Sequence, residues 1–147
     1  MEIQIMYRQK IPRIPNRKIN RLMTKVLEDL ANHDGELSIL FTDDQYIAQL
    51  NRRYREKDGP TNVLAFPMSG PESPDVESGM LGDIVVSVDT AMRESKALEE
   101  SLDDSIARLL IHGLLHLLDY DHERSPEEAS RMEKEEKRLF TLIRDII

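Results

Sequence analysis

The sequence predicts an α+β fold, a single domain over residues 1–147 in which about five helices pack on one small mixed β-sheet. Strand-like and helical segments alternate in the first part of the chain, and helical patterns dominate the second part, as is typical of this class. A chain of 147 residues suits one domain. With 39% hydrophobic and 33% charged residues, its composition is that of a globular protein rather than a disordered one.

The first elements are two strands with a helix between them. Residues 2–6 alternate in polarity and predict a short strand, and Gly35 opens a second strand that runs through Phe41. Between them, Pro12 and Pro15 introduce a predicted helix over residues 16–31. Its apolar residues recur at helical spacing: Ile19, Leu22, Met23, Val26, Leu27 and Leu30.

A second helix is predicted to begin at a capping box formed by Thr42 and Gln45. Its inward-facing residues are expected to be Ile47, Leu50 and Tyr54. The Asp-Gly-Pro sequence at 58–60 ends this helical region.

Two further strands and a loop complete the predicted sheet region. Residues 63–66 form a short strand, and residues 84–88 are apolar enough to lie inside a sheet. Residues 68–79 are rich in Pro, Gly, Ser and acidic side chains, which predicts an exposed loop between them.

Three helices are predicted in the second half of the chain. The first covers about 90–99, and Ser101 with Asp104 begins the second. The core-facing positions of the second helix are Ile106, Leu109, Leu110, Gly113, Leu114 and Leu117. Ser125 followed by Pro126 begins the last helix, which runs toward Arg144. Its inward-facing residues are Ala129, Met132, Leu139, Phe140 and Ile143.

The strongest functional signal is a cluster of three histidines, His112, His116 and His122, in the run HGLLHLLDYDH. On a helix, His112 and His116 lie on one face about one turn apart, a spacing at which two imidazoles can bind one divalent metal. If the helix continued to His122, that side chain would point about 120° away from His116. The chain must therefore leave the helix between the second and third histidine.

This spacing is the one that metzincin proteases use for a three-histidine zinc site. The second position of the motif is Gly113 rather than Glu, so the general base of those proteases is missing. Zinc with three nitrogen ligands and an open fourth position activates water, which indicates a hydrolase other than a standard peptidase. The alternative is an apolar helix with two buried, satisfied histidines and a third in a loop.

Together with two upstream segments, this run resembles the YbeY family of bacterial metal-dependent endoribonucleases. The family signature HGxLHLxGYDH matches HGLLHLLDYDH, and a pattern resembling LNxxYRxKDxPTxVLxFP matches residues 50–67. The Leu-Gly-Asp step at 81–83 and the residues 42–44 also fit. The departures are Asp119 where Gly is usual, Asn62 where Asp is common and Ala65 where Ser is common.

The resemblance implies a zinc-dependent endoribonuclease with one Zn²⁺ per chain, bound by the three histidines. It implies action on single-stranded regions of ribosomal RNA, in maturation of the small-subunit 3′ end and in ribosome quality control. Arg55 matches the functional arginine of the family, and its guanidinium can bind phosphate oxygens in a bidentate manner. Without the resemblance, Arg55 is better interpreted as a surface residue at the end of a helix. Asp83 is either a base or a turn residue.

Two alternatives remain open. One is a metal hydrolase that acts on a peptide or a small molecule, with its base supplied by another residue. The other is a ribosome-assembly factor without catalytic activity, in which the metal is structural. Asp121 is expected either to accept a hydrogen bond from an imidazole or to form a turn, and Asp121 or Glu123 can in principle be a fourth ligand.

Charge and composition limit the partners. The net charge is −8, but residues 7–25 carry seven basic side chains and no acid, which leaves −15 for the rest of the chain. Arg17, Arg21 and Lys25 form a stripe on one helix face, either an RNA contact or a solvated surface. A second basic cluster is Arg52, Arg53, Arg55 and Lys57. DNA is not an expected partner.

Cysteine usage and hydropathy indicate the compartment. The chain has no cysteine, which excludes disulfides, thiol catalysis and cysteine-based zinc sites. It shows no long apolar segment and no signal-peptide pattern at its N-terminus. A cytoplasmic location without a membrane partner is therefore expected.

Overall fold

A four-stranded sheet lies at the centre of the computed structural model, which describes residues 2–8, 15–30, 35–68 and 80–146. The strands are β1 (Glu2–Tyr7), β2 (Glu36–Thr42), β3 (Val63–Pro67) and β4 (Met80–Ser87). The helices are α1 (Asn16–Asp29), α2 (Asp44–Arg55), α3 (Val88–Ala97), α4 (Leu102–Leu117) and α5 (Pro126–Leu142). The predicted α+β class with about five helices is confirmed.

The sheet is mixed, as predicted, with the strand order β1-β2-β4-β3. The first three of these strands are parallel, and β3 pairs antiparallel with β4. Gly82 of β4 adopts φ 140°, and a Cβ atom there would lie 2.2 Å from the carbonyl oxygen of Phe66. Only glycine allows the two strands to approach so closely at this point.

The two faces of the sheet are covered unequally. The larger core lies on the face where α1, α3, α4 and α5 pack, and buried side chains of β2 and β4 such as Ile39 and Ile84 point into it. On the other face, α2 packs alone, and Ile47, Leu64 and Val85 form a small separate core. The central helix α4 contacts β3, β4 and three other helices, so its position is fixed by packing on many sides.

Most helix starts were predicted correctly, and one was wrong. Ser101 and Ser125 cap α4 and α5 through hydrogen bonds to the backbone N–H groups of Asp104 and Glu128. The cap of α2 is Asp43 rather than Thr42, because Asp43 accepts from the N–H of Tyr46. Thr42 is instead the buried last residue of β2.

Two positions in the predicted elements are corrected. Tyr54, expected to face inward, is 57% exposed, because it lies in the last turn of α2, where its ring packs against Phe66 of the edge strand β3. Val88, expected to end a strand, is the first residue of α3, whose cap is Ser87. The ends of the other elements differ from their predictions by a few residues only.

Several sequence predictions lie outside the described residues. These are the predicted loop over residues 69–79, Pro12 before α1, and the part of the basic segment 7–25 that covers residues 9–14. Within the described ranges, no helix is long and apolar enough to cross a membrane.

Candidate metal centre

The three predicted histidines lie together at the end of α4. One ligand nitrogen from each of His112, His116 and His122 lies within 4.8 Å of the others, so the three can hold a metal ion. The Nε2 atoms of His112 and His116 are 3.1 Å apart. Among the described residues, this group of ligand atoms consists of three imidazole nitrogens and includes no carboxylate.

A tight turn after α4 brings His122 back to the other two histidines. The N–H groups of Asp119 and Tyr120 donate to the carbonyl oxygens of His116 and Leu115, at 3.1 and 2.9 Å. This is the pattern of a Schellman motif, in which the residue after the cap adopts left-handed backbone angles. Asp119 does so with φ 71°, and the chain leaves the helix between His116 and His122, as helix geometry predicted.

Glu136 of α5 orients the first histidine. Its Oε1 atom lies 2.8 Å from Nδ1 of His112. Because a carboxylate can only accept, we assign the proton of the neutral imidazole to Nδ1, which leaves the lone pair on Nε2 for a metal. Carboxylate partners of this kind fix the tautomer and raise the basicity of a metal ligand. Sequence reasoning missed Glu136, although it lies one turn beyond the predicted core position Met132.

The surroundings of His116 favour its neutral form. Burial lowers the pKa of His116 below its usual value of 6.5, and the neighbouring His112 and His122 lower it further. A neutral imidazole is the form that binds a metal. His116 therefore favours the form that binds a metal near neutral pH.

Packing explains why a protease-type base is absent. A Cβ atom on Gly113 would lie 2.9 Å from Cγ2 of Ile84 and 3.3 Å from Cγ2 of Val63. Helix α4 therefore lies directly on β3 and β4, with no space for a longer side chain between the two helical histidines. A glutamate at this position would require the side chains of Ile84 and Val63 to shift.

A cavity of about 770 Å³ opens over the three histidines. Arg55, at the end of α2, lines this cavity together with Thr61 and Asn62. Its side chain is exposed, and within the described part of the chain it makes no hydrogen bond or ion pair. The structure thus places the predicted arginine and the predicted histidines around one cavity.

A second arginine on the same cavity has several partners. Arg124 lies 2.5 Å from a carboxylate oxygen of Asp119, 3.4 Å from Asp121 and 3.5 Å from Glu128. Hydrogen bonding from Arg124 lowers the pKa of Asp119. Arg124 therefore ties the turn after α4 to the start of α5, and His122 lies within that turn. Sequence reasoning did not identify this role.

Of the other predicted functional residues, Asp83 and the basic stripe lie away from this cavity, whereas Asp121 lines it. Asp83 points to the opposite face of the sheet, where it lines a groove beside α2. The basic stripe lies on α1, and none of its members lines the cavity of the histidines. Asp121 accepts from the N–H of Glu123 at 2.8 Å, which is a turn interaction rather than a bond to an imidazole.

The fold and the site define an α+β protein with an open three-histidine centre beside an unpaired arginine. The model of the family described as "Endoribonuclease YbeY" matches residues 4–144. The chain therefore belongs to the YbeY endoribonuclease family. This confirms the resemblance and the predicted enzyme class, a hydrolase of the endoribonuclease type.

Individual relatives agree over nearly the whole chain. The protein named "Endoribonuclease YbeY" in Syntrophotalea carbinolica is 42% identical over 144 residues, which cover 97% of this chain and 96% of that protein. The protein of the same name in Aquifex aeolicus is 41% identical, covering 94% and 90% of the two chains.

A solved structure shares the fold. The solution structure of TM1509 from Thermotoga maritima matches with a TM-score of 0.65 and 24% identity. The match covers 96% of this chain and 88% of that one. At this level of identity, the likeness concerns the fold alone.

Proposed function

We propose that this protein cleaves phosphodiester bonds in single-stranded RNA, with a metal bound by His112, His116 and His122 and with Arg55 as the catalytic arginine. The observation that carries the proposal is the position of Arg55. An exposed arginine without a partner lines the same cavity as three histidines that can hold a metal. Family membership supports RNA as the substrate.

The donor set suits Zn²⁺, which we propose as the metal, at one ion per chain. Three imidazole nitrogens without a thiolate are typical of catalytic zinc sites, in which a further position stays open. When bound, such a metal supplies Lewis-acid polarisation and a nucleophile at neutral pH. In the neutral imidazole of His112, the hydrogen bond to Glu136 places the proton on Nδ1 and leaves Nε2 available to a metal, and the turn at Asp119 holds His122 in position.

Arg55 supplies what a phosphodiester substrate needs from the protein. The guanidinium stays charged at all relevant pH values and presents paired N–H donors that match two phosphate oxygens. Because no acid neutralises it in the described structure, its charge is available to a substrate anion. The negative charge that develops on the phosphoryl oxygens during cleavage strengthens this interaction, so Arg55 accelerates the chemical step.

We further propose ribosomal RNA as the biological substrate, with a role at the 3′ end of the small-subunit RNA and in ribosome quality control. The support is the family resemblance of residues 50–67 and 112–122. A cytoplasmic location follows from that substrate. The basic residues of α1 provide a second surface suited to RNA, since Arg17 and Arg21 are exposed.

The experiment is cleavage of a structured ribosomal RNA fragment by purified protein, before and after metal removal with a chelator. We expect cleavage in single-stranded regions that disappears with the metal and returns when one equivalent of Zn²⁺ is restored. Protein free of contaminating nuclease that cleaves nothing with any divalent metal would contradict the proposal.

Replacing His112 with alanine separates catalysis from a structural role of the metal. If the metal is catalytic, the His112→Ala protein loses cleavage and keeps the melting temperature of the metal-free wild type. Unfolding of this variant would instead support a non-catalytic assembly factor with a structural metal. Hydrolysis of peptides or small esters, without RNA cleavage, would support the other alternative.

A further inference from the structure

The side chain of Tyr54 is unusual in its exposure. Four large apolar side chains are exposed in the described residues, and Tyr54 is one of the two with the highest exposure, at 57%. The helical pattern of α2 predicts that it faces inward, yet more than half of the side chain is exposed. Neither burial nor a structural hydrogen bond within the described residues accounts for an aromatic residue at this place.

The surroundings of the ring connect it to the metal centre. Tyr54 and Phe66 line the cavity over the three histidines and also the groove on the other side of β3. Their ring centroids are 5.3 Å apart with the planes at 66°, so the buried part of Phe66 supports the exposed ring of Tyr54. Tyr54 precedes Arg55 directly, and the guanidinium of Arg53 lies 5.4 Å from its ring centroid.

We propose that Tyr54 forms a subsite for one nucleobase, which stacks on its ring while Arg55 binds the adjacent phosphate. This inference rests on the proposed function and specifies how its substrate is held. An exposed ring with two neighbouring arginines matches the chemistry of single-stranded RNA, in which a flat base alternates with a phosphate. The contact is independent of sequence to a first approximation, because every base has a face that can stack.

The subsite explains why the substrate must be single-stranded. A base in a duplex is stacked between its neighbours and is not free to lie on a protein ring. Only an unpaired nucleotide can place its base on Tyr54 and its phosphate at Arg55 together. Selection for single strands then depends on Tyr54, whereas the rate of the chemical step depends on Arg55 and the metal.

The test combines variants of Tyr54 with RNA that lacks one base. Single-turnover cleavage of a short single-stranded RNA is measured at several protein concentrations for the wild type and for Tyr54→Ala, Tyr54→Leu and Tyr54→Phe. Each variant is loaded with metal, and metal content and melting temperature are measured. The substrates include a series in which an abasic ribose replaces one nucleotide at a time. Leu98→Ala is the matched control, because Leu98 is also 57% exposed.

We expect Tyr54→Ala and Tyr54→Leu to raise the protein concentration needed for half-maximal cleavage by about tenfold to a hundredfold. The maximal rate should change little, and Tyr54→Phe should behave as the wild type. In the wild type, one abasic position near the cleaved bond should cause a similar loss. In Tyr54→Ala, the same abasic position should cause no additional loss, since the stacking contact is already absent.

Two results would overturn the subsite. If Tyr54→Ala cleaves with wild-type parameters while Arg55→Ala does not cleave, the proposed function stands and the stacking subsite is wrong; an exposed ring that serves a protein partner gives this result. If the abasic penalty persists unchanged in Tyr54→Ala, the base is bound elsewhere. Failure of the wild type to cleave any RNA would remove both the proposed function and the subsite.

Discussion

Two arginines line the cavity of the three histidines, and their surroundings differ. Arg55 comes from the end of α2 and has no side-chain partner within the described residues. Arg124 comes from the segment between α4 and α5 and has three acidic partners, Asp119, Asp121 and Glu128. The same type of side chain therefore serves different purposes on the two sides of one cavity.

The difference shows which charge is available to a substrate. Acidic partners neutralise Arg124 and hold it in a network that shapes the turn carrying His122. An incoming phosphate would have to compete with three carboxylates for this arginine, whereas Arg55 can bind it without breaking any interaction. We infer that Arg55 acts on the substrate and that Arg124 positions a metal ligand.

The largest expected effect comes from replacing Arg55 with alanine, and the same change at Arg124 is the comparison. At saturating metal, Arg55→Ala should lower the single-turnover cleavage rate by about 10²–10³-fold, because an interaction made in the transition state is lost. Arg55→Lys should restore part of the rate, since a point charge cannot make the bidentate contact. Arg124→Ala should keep a rate within about tenfold of the wild type. A larger loss for Arg124→Ala than for Arg55→Ala would reverse the assignment.

The next effect concerns Glu136, which should matter for metal binding. Glu136→Ala removes the acceptor for Nδ1 of His112 and should weaken Zn²⁺ binding by about 10–100-fold, measured by competition with a chromophoric chelator. Glu133→Ala on the same helix is the control, because Glu133 contacts Lys137 and no histidine. Equal affinity of the two variants would show that the hydrogen bond to His112 has no role in metal binding.

A pH scan tests the buried part of the centre. The pKa of His116 is lowered in the folded protein, so the unfolded chain takes up the proton first as pH falls. The metal-free protein should therefore lose stability as pH decreases below about 6.5, and metal affinity should fall below about pH 6. Melting temperatures between pH 8 and pH 5 measure the first effect, and His116→Gln should make the decline shallower. If the melting temperature of His116→Gln fell as steeply with decreasing pH, protonation of His116 would not be the cause of the decline.

The smallest effect is expected for Asp119→Gly. Glycine adopts the left-handed backbone angles of residue 119 without steric cost, but the substitution removes an exposed ion pair to Arg124. Relief of the backbone strain stabilises the fold, and loss of the ion pair destabilises it. The melting temperature should therefore stay the same or rise by a few degrees. A clear decrease in melting temperature would show that the Asp119 carboxylate stabilises the turn by more than the positive φ of residue 119 destabilises it.

Local patterns predicted most of the secondary structure and the three histidines. Helical periodicity in α1 and the serine caps of α4 and α5 depend on residues close in sequence, and these predictions are confirmed. The need to turn before His122 followed from helix geometry alone, and Asp119 adopts the positive φ that it requires. These features are set within a few residues along the chain.

The sequence did not predict the contacts between distant segments. Glu136 is 24 residues from His112, and nothing in the pattern of α5 distinguishes it from the other acidic residues there. The exposure of Tyr54 could not be predicted either, because periodicity shows which face of a helix is inward but not that this residue packs against the edge strand of the sheet. Asp83 looked like a candidate because of its motif, but its strand register directs it to the opposite face.

The most direct test is a titration of metal-free protein with Zn²⁺, in which the single-turnover rate of RNA cleavage is measured at each addition. The wild-type rate should rise linearly and reach a plateau at about one equivalent, as expected for one three-histidine site per chain. Arg55→Ala should reach its plateau at the same equivalence point but at a rate about 10²–10³-fold lower. A wild-type rate that does not depend on metal, or an Arg55→Ala plateau equal to that of the wild type, would contradict joint action of the metal site and Arg55 on RNA.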